Sequence, residues 1–227
     1  MDEYNKENNI NELNNLDDDI LNEETLNPWL SIWTKPRKTI RYIINNNPRQ
    51  YVIVLSILNG IFGSLNNASS RNSGDDMSIF AIFAFSIIAG GLGGLISLYV
   101  SGALINWTGK WIGGIGSKEN IRAAIAWGCA PFVLSSILWI PELILFGNEM
   151  FTSLTPNLDS SPTLSILLII FGVIEIIIAI WSFVVGLKCV GEVQGFSAWR
   201  ALGNCLLAGL FIIIPIAIII LIMISMF

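Results

Sequence analysis

The stretch 79-IFAIFAFSIIAGGLGGLISLYVSGALI-105 runs for 27 residues without one charged side chain. A helix needs about 20 apolar residues to cross the hydrocarbon core of a bilayer, so this run is long enough to span it. Four more apolar runs accompany it, at roughly 51–65, 121–146, 163–187 and 201–226. The last three reach span length. The first is short, and crosses only by borrowing polar residues up to Ala68 or by sitting where the bilayer thins. Composition agrees: the chain is 53% hydrophobic against 13% charged, with a mean hydropathy of +0.66, which is far too apolar for a water-soluble domain of 227 residues. The expected fold is all-α, a polytopic membrane protein built as a bundle of about five transmembrane helices, with an N-terminal interfacial amphipathic helix ahead of it.

The charges divide the chain. Residues 1–27 hold nine of the 17 acids and one base, Lys6, and read as a disordered acidic tail that cannot bury enough apolar surface to offset its ordering entropy. What remains is net +3, from 11 bases against 8 acids. Residues 28–50 bring Trp29 and Trp33 together with Arg37, Lys38 and Arg41. Pro36 suits the first turn of a helix whose Ile40, Ile43 and Ile44 share a face opposite those bases. Such a helix fits an anionic leaflet, with the tryptophans at headgroup depth, and fits equally well as a basic flank that only fixes topology. Residues 51–227 form the transmembrane domain. Eleven of the 12 bases fall before the first span or in the second and fourth connections, the exception being Arg71. The positive-inside rule therefore expects a multi-pass protein with its N-terminus in the cytoplasm and its C-terminus on the opposite side.

Three features inside the spans carry candidate roles. Ser86, Gly90 and Gly94 form one ridge of small residues, and Ala89, Gly93, Ser97 and Ser101 form its neighbour. Small residues four apart let helix backbones approach closely, either within the chain or in a homo-oligomer. The loop from Trp107 to Lys118 is glycine-rich, but it fits neither GxxxxGK[ST] nor GxGxxG and follows no strand, so a phosphate cradle is refused. Ser117 is expected to cap a helix from Lys118, with Trp107 and Trp111 as interfacial anchors. A kink is expected at Pro141, with Glu142 reaching the interface. Glu175 is the one acid near mid-span; small residues share its face, so it points into the bundle. No Lys or Arg lies at its depth, which leaves hydroxyls and amides as partners: Asn59, Ser56, Ser135, Ser136, Tyr99 or Asn204. It either bonds two helices together or serves an ion or proton pathway.

The chain has no histidine, so Ser–His and Cys–His nucleophile pairs and histidine-bound zinc are excluded, and no Asp inside a span offers an aspartyl pair. Cys129, Cys189 and Cys205 have no CxxC spacing and read as small buried hydrophobes. No enzymatic activity, cofactor, metal or nucleic-acid partner is expected.

Pro28-Trp29 with Trp33-Thr34-Lys35-Pro36-Arg37, Leu98-Tyr99-Val100-Ser101-Gly102-Ala103-Leu104, Trp107-Thr108-Gly109, Gly113-Gly114, Gly116-Ser117, Arg122-Ala123-Ala124, Ala126-Trp127, Pro131 and Trp139-Ile140-Pro141-Glu142 together resemble the prokaryotic-type branch of the Yip family, the Ypt/Rab-interacting membrane proteins. The resemblance covers about residues 28–226. It implies five spans, a cytoplasmic N-terminus and a C-terminus across the membrane. Eukaryotic members bind prenylated Rab GTPases; the Asp-Leu-x-Gly-Pro type motif ahead of their spans is missing here, so binding of a Rab-type GTPase is not carried over. The functional expectation is a non-enzymatic scaffold or adaptor that self-associates and engages membrane lipids or other membrane proteins at its cytoplasmic face. The alternative is a small-ion or lipid transporter or channel that uses Glu175.

Overall fold

The computed structural model describes residues 26–225, so the acidic tail lies outside the described residues except at its end. Asn27, counted with that tail, instead caps the first helix, its side chain accepting from Trp29 N at 3.1 Å. The described residues form helices and no strand. α1 (Pro28–Thr34) and α2 (Pro36–Asn46) precede α3 (Val52–Ser70). α4 (Ile79–Phe85) runs through a π-helical turn at Ser86–Gly90 into α5 (Gly91–Trp111). The third apolar run is broken into α6 (Lys118–Gly128), α7 (Ala130–Ser135) and α8 (Trp139–Phe146). A short α9 (Pro156–Ser160) leads to α10 (Pro162–Gln194) and α11 (Ala198–Ser225). Five helical stretches are long and apolar enough to cross a membrane: Val52–Ser70, Ile79–Trp111, Lys118–Phe151, Pro162–Gln194 and Ala198–Pro215. The short first run does reach span length, by winding its polar end to Ser70.

Polar contacts sort the connections into two ends. At one, Arg37 Nη1 donates to Glu192 Oε2 at 3.1 Å and Arg41 Nε to Glu192 Oε1 at 2.9 Å. There too, Arg49 pairs with Glu119, and Arg200 Nη2 donates to Ile112 O at 2.6 Å. The N-terminal segment thus meets the second and fourth connections. At the other end, Ser69 Oγ donates to Met150 O at 2.6 Å and Ser153 N to Asp75 Oδ1 at 3.0 Å, which joins the first and third connections. Successive spans therefore alternate in direction. Between the ends, α10 turns Ile169, Val173, Ile176, Ile177, Ile180 and Phe183 outward, an apolar band that water would not tolerate and lipid does.

Three local expectations meet a different geometry. The break in the third run comes before Pro141, in a 3-10 turn at Ser136–Leu138, so that Pro141 falls in the first turn of α8 where it lacks no hydrogen bond. Ser135 Oγ and Ser136 Oγ donate to Phe132 O at 2.8 Å and Val133 O at 2.6 Å, which satisfies carbonyls beside the break. Glu142, expected at the interface, is buried in that first turn of α8. The isoleucine face of α2 is likewise not laid outward. Ile40 and Ile43 are buried in the main core, and α2 packs on α10 and α6. Burying such side chains contributes roughly 1.5–3 kcal/mol each, more than the part-exposed arginine pairs at about 0–1 kcal/mol, so packing holds this segment.

Candidate functional site

The first span crosses the second at a seam of small residues. A methyl placed on Gly60 would overlap Gly90 O and lie 2.6 Å from Gly94 Cα; one on Gly94 would overlap Ser56 O and lie 3.0 Å from Gly60 Cα. Ser64 Oγ donates to Ser86 Oγ at 3.1 Å across the same seam. Gly90 and Gly94 are thus in contact with another helix of their own chain. On the neighbouring ridge Gly93 and Ser97 are not: Gly93 has nothing within 4 Å of such a methyl, and Ser97 is exposed. Gly60, with Ser56 and Ser64 four residues to either side, is the half of the seam that the sequence reading passed over, although that spacing was its signal.

Further along, the first span, the broken third span and α10 line an open recess of about 470 Å³ whose lining includes Glu175, Asn66, Ser135, Ser136, Trp139 and Phe132. Glu175 is half-buried there, and the Trp139 indole N–H faces its carboxylate. Of its expected neighbours the structure brings Ser135 and Ser136, and it adds Asn66 and Trp139. Asn59 is elsewhere. It lines a second recess of about 360 Å³ with Ser101, Ser182 and Cys129, separated from the first by Phe132 and Ala179, which line both. Ser56 donates back to Val52 O at 2.7 Å, Tyr99 lies under Arg122, and Asn204 is held in another network. Among the described residues no group of three or more His, Cys, Asp or Glu converges on a point that could hold a metal ion.

That other network explains the glycine-rich loop. Gln194, 1% exposed at the end of α10, donates through Nε2 to Ile105 O at 3.1 Å and accepts from Gly116 N at 3.2 Å. Asn204 of α11 donates to the same Ile105 O at 3.1 Å and accepts from Thr108 Oγ1 at 2.6 Å, while Asn106 Nδ2 donates to Gly116 O at 2.9 Å. Methyls on Gly109 and Gly114 would overlap the Gln194 amide, and one on Gly116 would lie 3.1 Å from it. The loop is a cradle for a side-chain amide. Ser117 then caps α6, accepting from Asn120 N at 3.1 Å, as its position suggested.

A protein-family model, the Yip1 domain, matches residues 30–224 of the chain. The chain belongs to the Yip1 domain family. No curated protein and no solved structure matches it. Several stretches on which the resemblance rests now have physical roles in this Yip1 domain. Thr108-Gly109, Gly114 and Gly116 build the cradle just described. Trp29 packs on Trp127, with ring centroids 5.0 Å apart, and Tyr51 closes that cluster at 5.4 Å from Trp29. Trp127 Nε1 donates to Gln50 O at 3.1 Å, tying down a turn in which Tyr51 adopts φ 57°. The carbonyl of Trp33 accepts from Trp181 Nε1 at 3.1 Å. Trp29, Trp33, Arg37 and Arg41 are thus fastened to the bundle, and Lys38 lies on the exposed face of α2. Trp107 and Trp111 are exposed and meet one another and Phe211 edge-to-face, at 4.6 and 4.9 Å between the ring centroids of Trp107 and each partner.

Proposed function

We propose that this Yip1 domain is a non-enzymatic scaffold or adaptor, self-associating within the membrane and engaging lipid or protein partners at its basic end, with that end and the N-terminus in the cytoplasm. The carrying observation is the fastened N-terminal segment. Its apolar face is spent on the bundle, so α1, α2, the cradle loop and the start of α11 make one preformed surface on which Leu30, Trp107, Trp111, Ile115 and Trp199 stand exposed among Lys35, Lys38, Lys110, Lys118 and Arg200. Aromatic and basic side chains in that mixture suit a headgroup layer or a partner's acidic juxtamembrane segment. Self-association has its own support in the open ridge of Gly93 and Ser97, a surface where a second helix backbone could come close.

Oxidative cross-linking in native membranes tests this. In a background with the three cysteines replaced by alanine, Ser97→Cys is expected to give a disulfide-linked dimer and Ile169→Cys, on the outward band of α10, none. A monomer from both removes self-association through this ridge. In the same background Ser160→Cys is expected to react with a membrane-impermeant maleimide only from outside the cell, and reaction only from the cytoplasm reverses the orientation.

A second reading is favoured by one observation, the recess that places Glu175 beside a broken helix, since interrupted helices and intramembrane acids are features of transporters. Glu175→Gln keeps hydrogen bonding and removes titration. With the scaffold reading, liposomes holding the wild type and the variant show the same background ion and proton flux. Flux carried by the wild type and lost in the variant would establish transport instead.

A further inference from the structure

We propose that the recess between the turn before α3, the middle of α5 and the start of α6 binds the phosphate of an anionic phospholipid headgroup. The recess has a volume of about 440 Å³, and its lining includes Arg49, Lys118, Glu119, Arg122, Tyr99 and Ile53. Its three bases face one acid. That acid is engaged: Glu119 pairs with Arg49, and its hydrogen bond and then its charge raise the Arg49 guanidinium above its ordinary value. Lys118 and Arg122 have no carboxylate within ion-pair distance among the described residues, so the recess carries two positive charges that no described acid pairs.

Arg122 supplies the decisive feature. Its guanidinium lies 4.3 Å above the centroid of the Tyr99 ring, and its stem packs on Gly102, where an added methyl would come within 3.0 Å of Cγ. Held in this way, Arg122 makes no hydrogen bond among the described residues, and its Nε is shut off from solvent, so its terminal amino groups are the donors left for a ligand. A guanidinium with no acceptor among the described residues is open to one from outside, and a phosphate, with several anionic oxygens, is the acceptor that it matches best. Two other arginines of this end differ: Arg37 and Arg41 are already occupied by Glu192.

A lipid is favoured over a free phosphate by what surrounds the cations. Ile53 and Tyr99, in the wall of the recess, are 53% and 48% exposed on the outward face of the bundle, beside Ile96 and Val100, so acyl chains would continue from the recess over apolar surface. The volume also exceeds what a bare phosphate fills. The assignment rests on the reading that the basic end meets the headgroup layer, and its test separates the two.

The full chain in mild detergent is titrated with phosphatidylglycerol and with phosphatidylcholine, and adducts are counted by native mass spectrometry. The wild type is expected to hold one phosphatidylglycerol tightly and phosphatidylcholine weakly. Arg122→Gln should weaken the first about tenfold, by loss of a charge-assisted contact. Lys118→Gln, at an exposed position that does not support the fold, should weaken it about fivefold. Lys188→Gln, at the same end but outside the recess, should not. Equal weakening by Lys118→Gln and Lys188→Gln would mean diffuse attraction of anionic lipid, which overturns the site and leaves the headgroup-facing reading standing. No preference for phosphatidylglycerol in the wild type overturns both. Displacement of phosphatidylglycerol by inorganic phosphate at equal concentration overturns the lipid assignment.

Discussion

Gly94→Ala is expected to destabilise the protein by about 3 kcal/mol, at the top of the range for overpacking a close contact. The added methyl would overlap Ser56 O and come within 3.0 Å of Gly60 Cα, and both obstacles are backbone atoms of another span. No rotamer change removes them. The first span has to move off the second, and this also pulls Ser64 away from Ser86. Gly60→Ala should behave alike, because its methyl would overlap Gly90 O. The control is Gly93→Ala, one residue away on the same helix, where nothing lies within 4 Å. Helix propensity alone favours that change by up to about 1 kcal/mol. Thermal unfolding of the three variants in one detergent that holds the chain as a monomer therefore has an expected order, with Gly93→Ala at or above the wild type and the other two well below. If Gly93→Ala fell as far as Gly94→Ala, the seam would have been placed on the wrong ridge.

The contrast between Gly93 and Gly94 also marks how far the sequence can be read. Span number, helical class and the cap at Ser117 follow from local pattern, because length, hydropathy and a Ser before a helix start act over a few residues. Which ridge packs inward does not. Both carry the small-xxx-small spacing, and the choice depends on where Ser56, Gly60 and Ser64 lie, some 30 residues back along the chain from Gly90 and Gly94. The same limit hid the use of the α2 isoleucines. An amphipathic helix shows that it has an apolar face, whereas the partner of that face, α10 and α6 here and not a leaflet, is a tertiary fact. Glu175 lies between these cases: its small-residue face was legible, yet its neighbours were set by the break at Ser136–Leu138, which came one turn earlier than Pro141 suggested. Gln194 left the weakest trace of all. A single amide at the end of a long apolar run gives no sign that Gly109, Gly114 and Gly116 are shaped around it from about 80 residues away.

Gln194→Ala is accordingly expected to be the most damaging single truncation, about 3–5 kcal/mol, because it adds a cavity to two broken hydrogen bonds. The Gly116 N–H would lose its Gln194 acceptor, and Ile105 O one of its two side-chain donors. A large loss alone would not show that the glycines exist for the amide, so the decisive variant is Gly109→Ala. The three atoms nearest its methyl would be side-chain atoms, two of Gln194, which it overlaps, and Asn204 Nδ2 at 3.0 Å. By itself it should cost about 1–3 kcal/mol. In the Gln194→Ala background most of that penalty should vanish, because the methyl then enters the space the amide has left. The double variant is therefore expected to be less destabilised than the sum of the singles by about 1–2 kcal/mol, a coupling well above the few tenths seen between independent sites. Additive losses would mean that the glycines are small for another reason, and that the second connection is held on α10 by something other than its grip on Gln194.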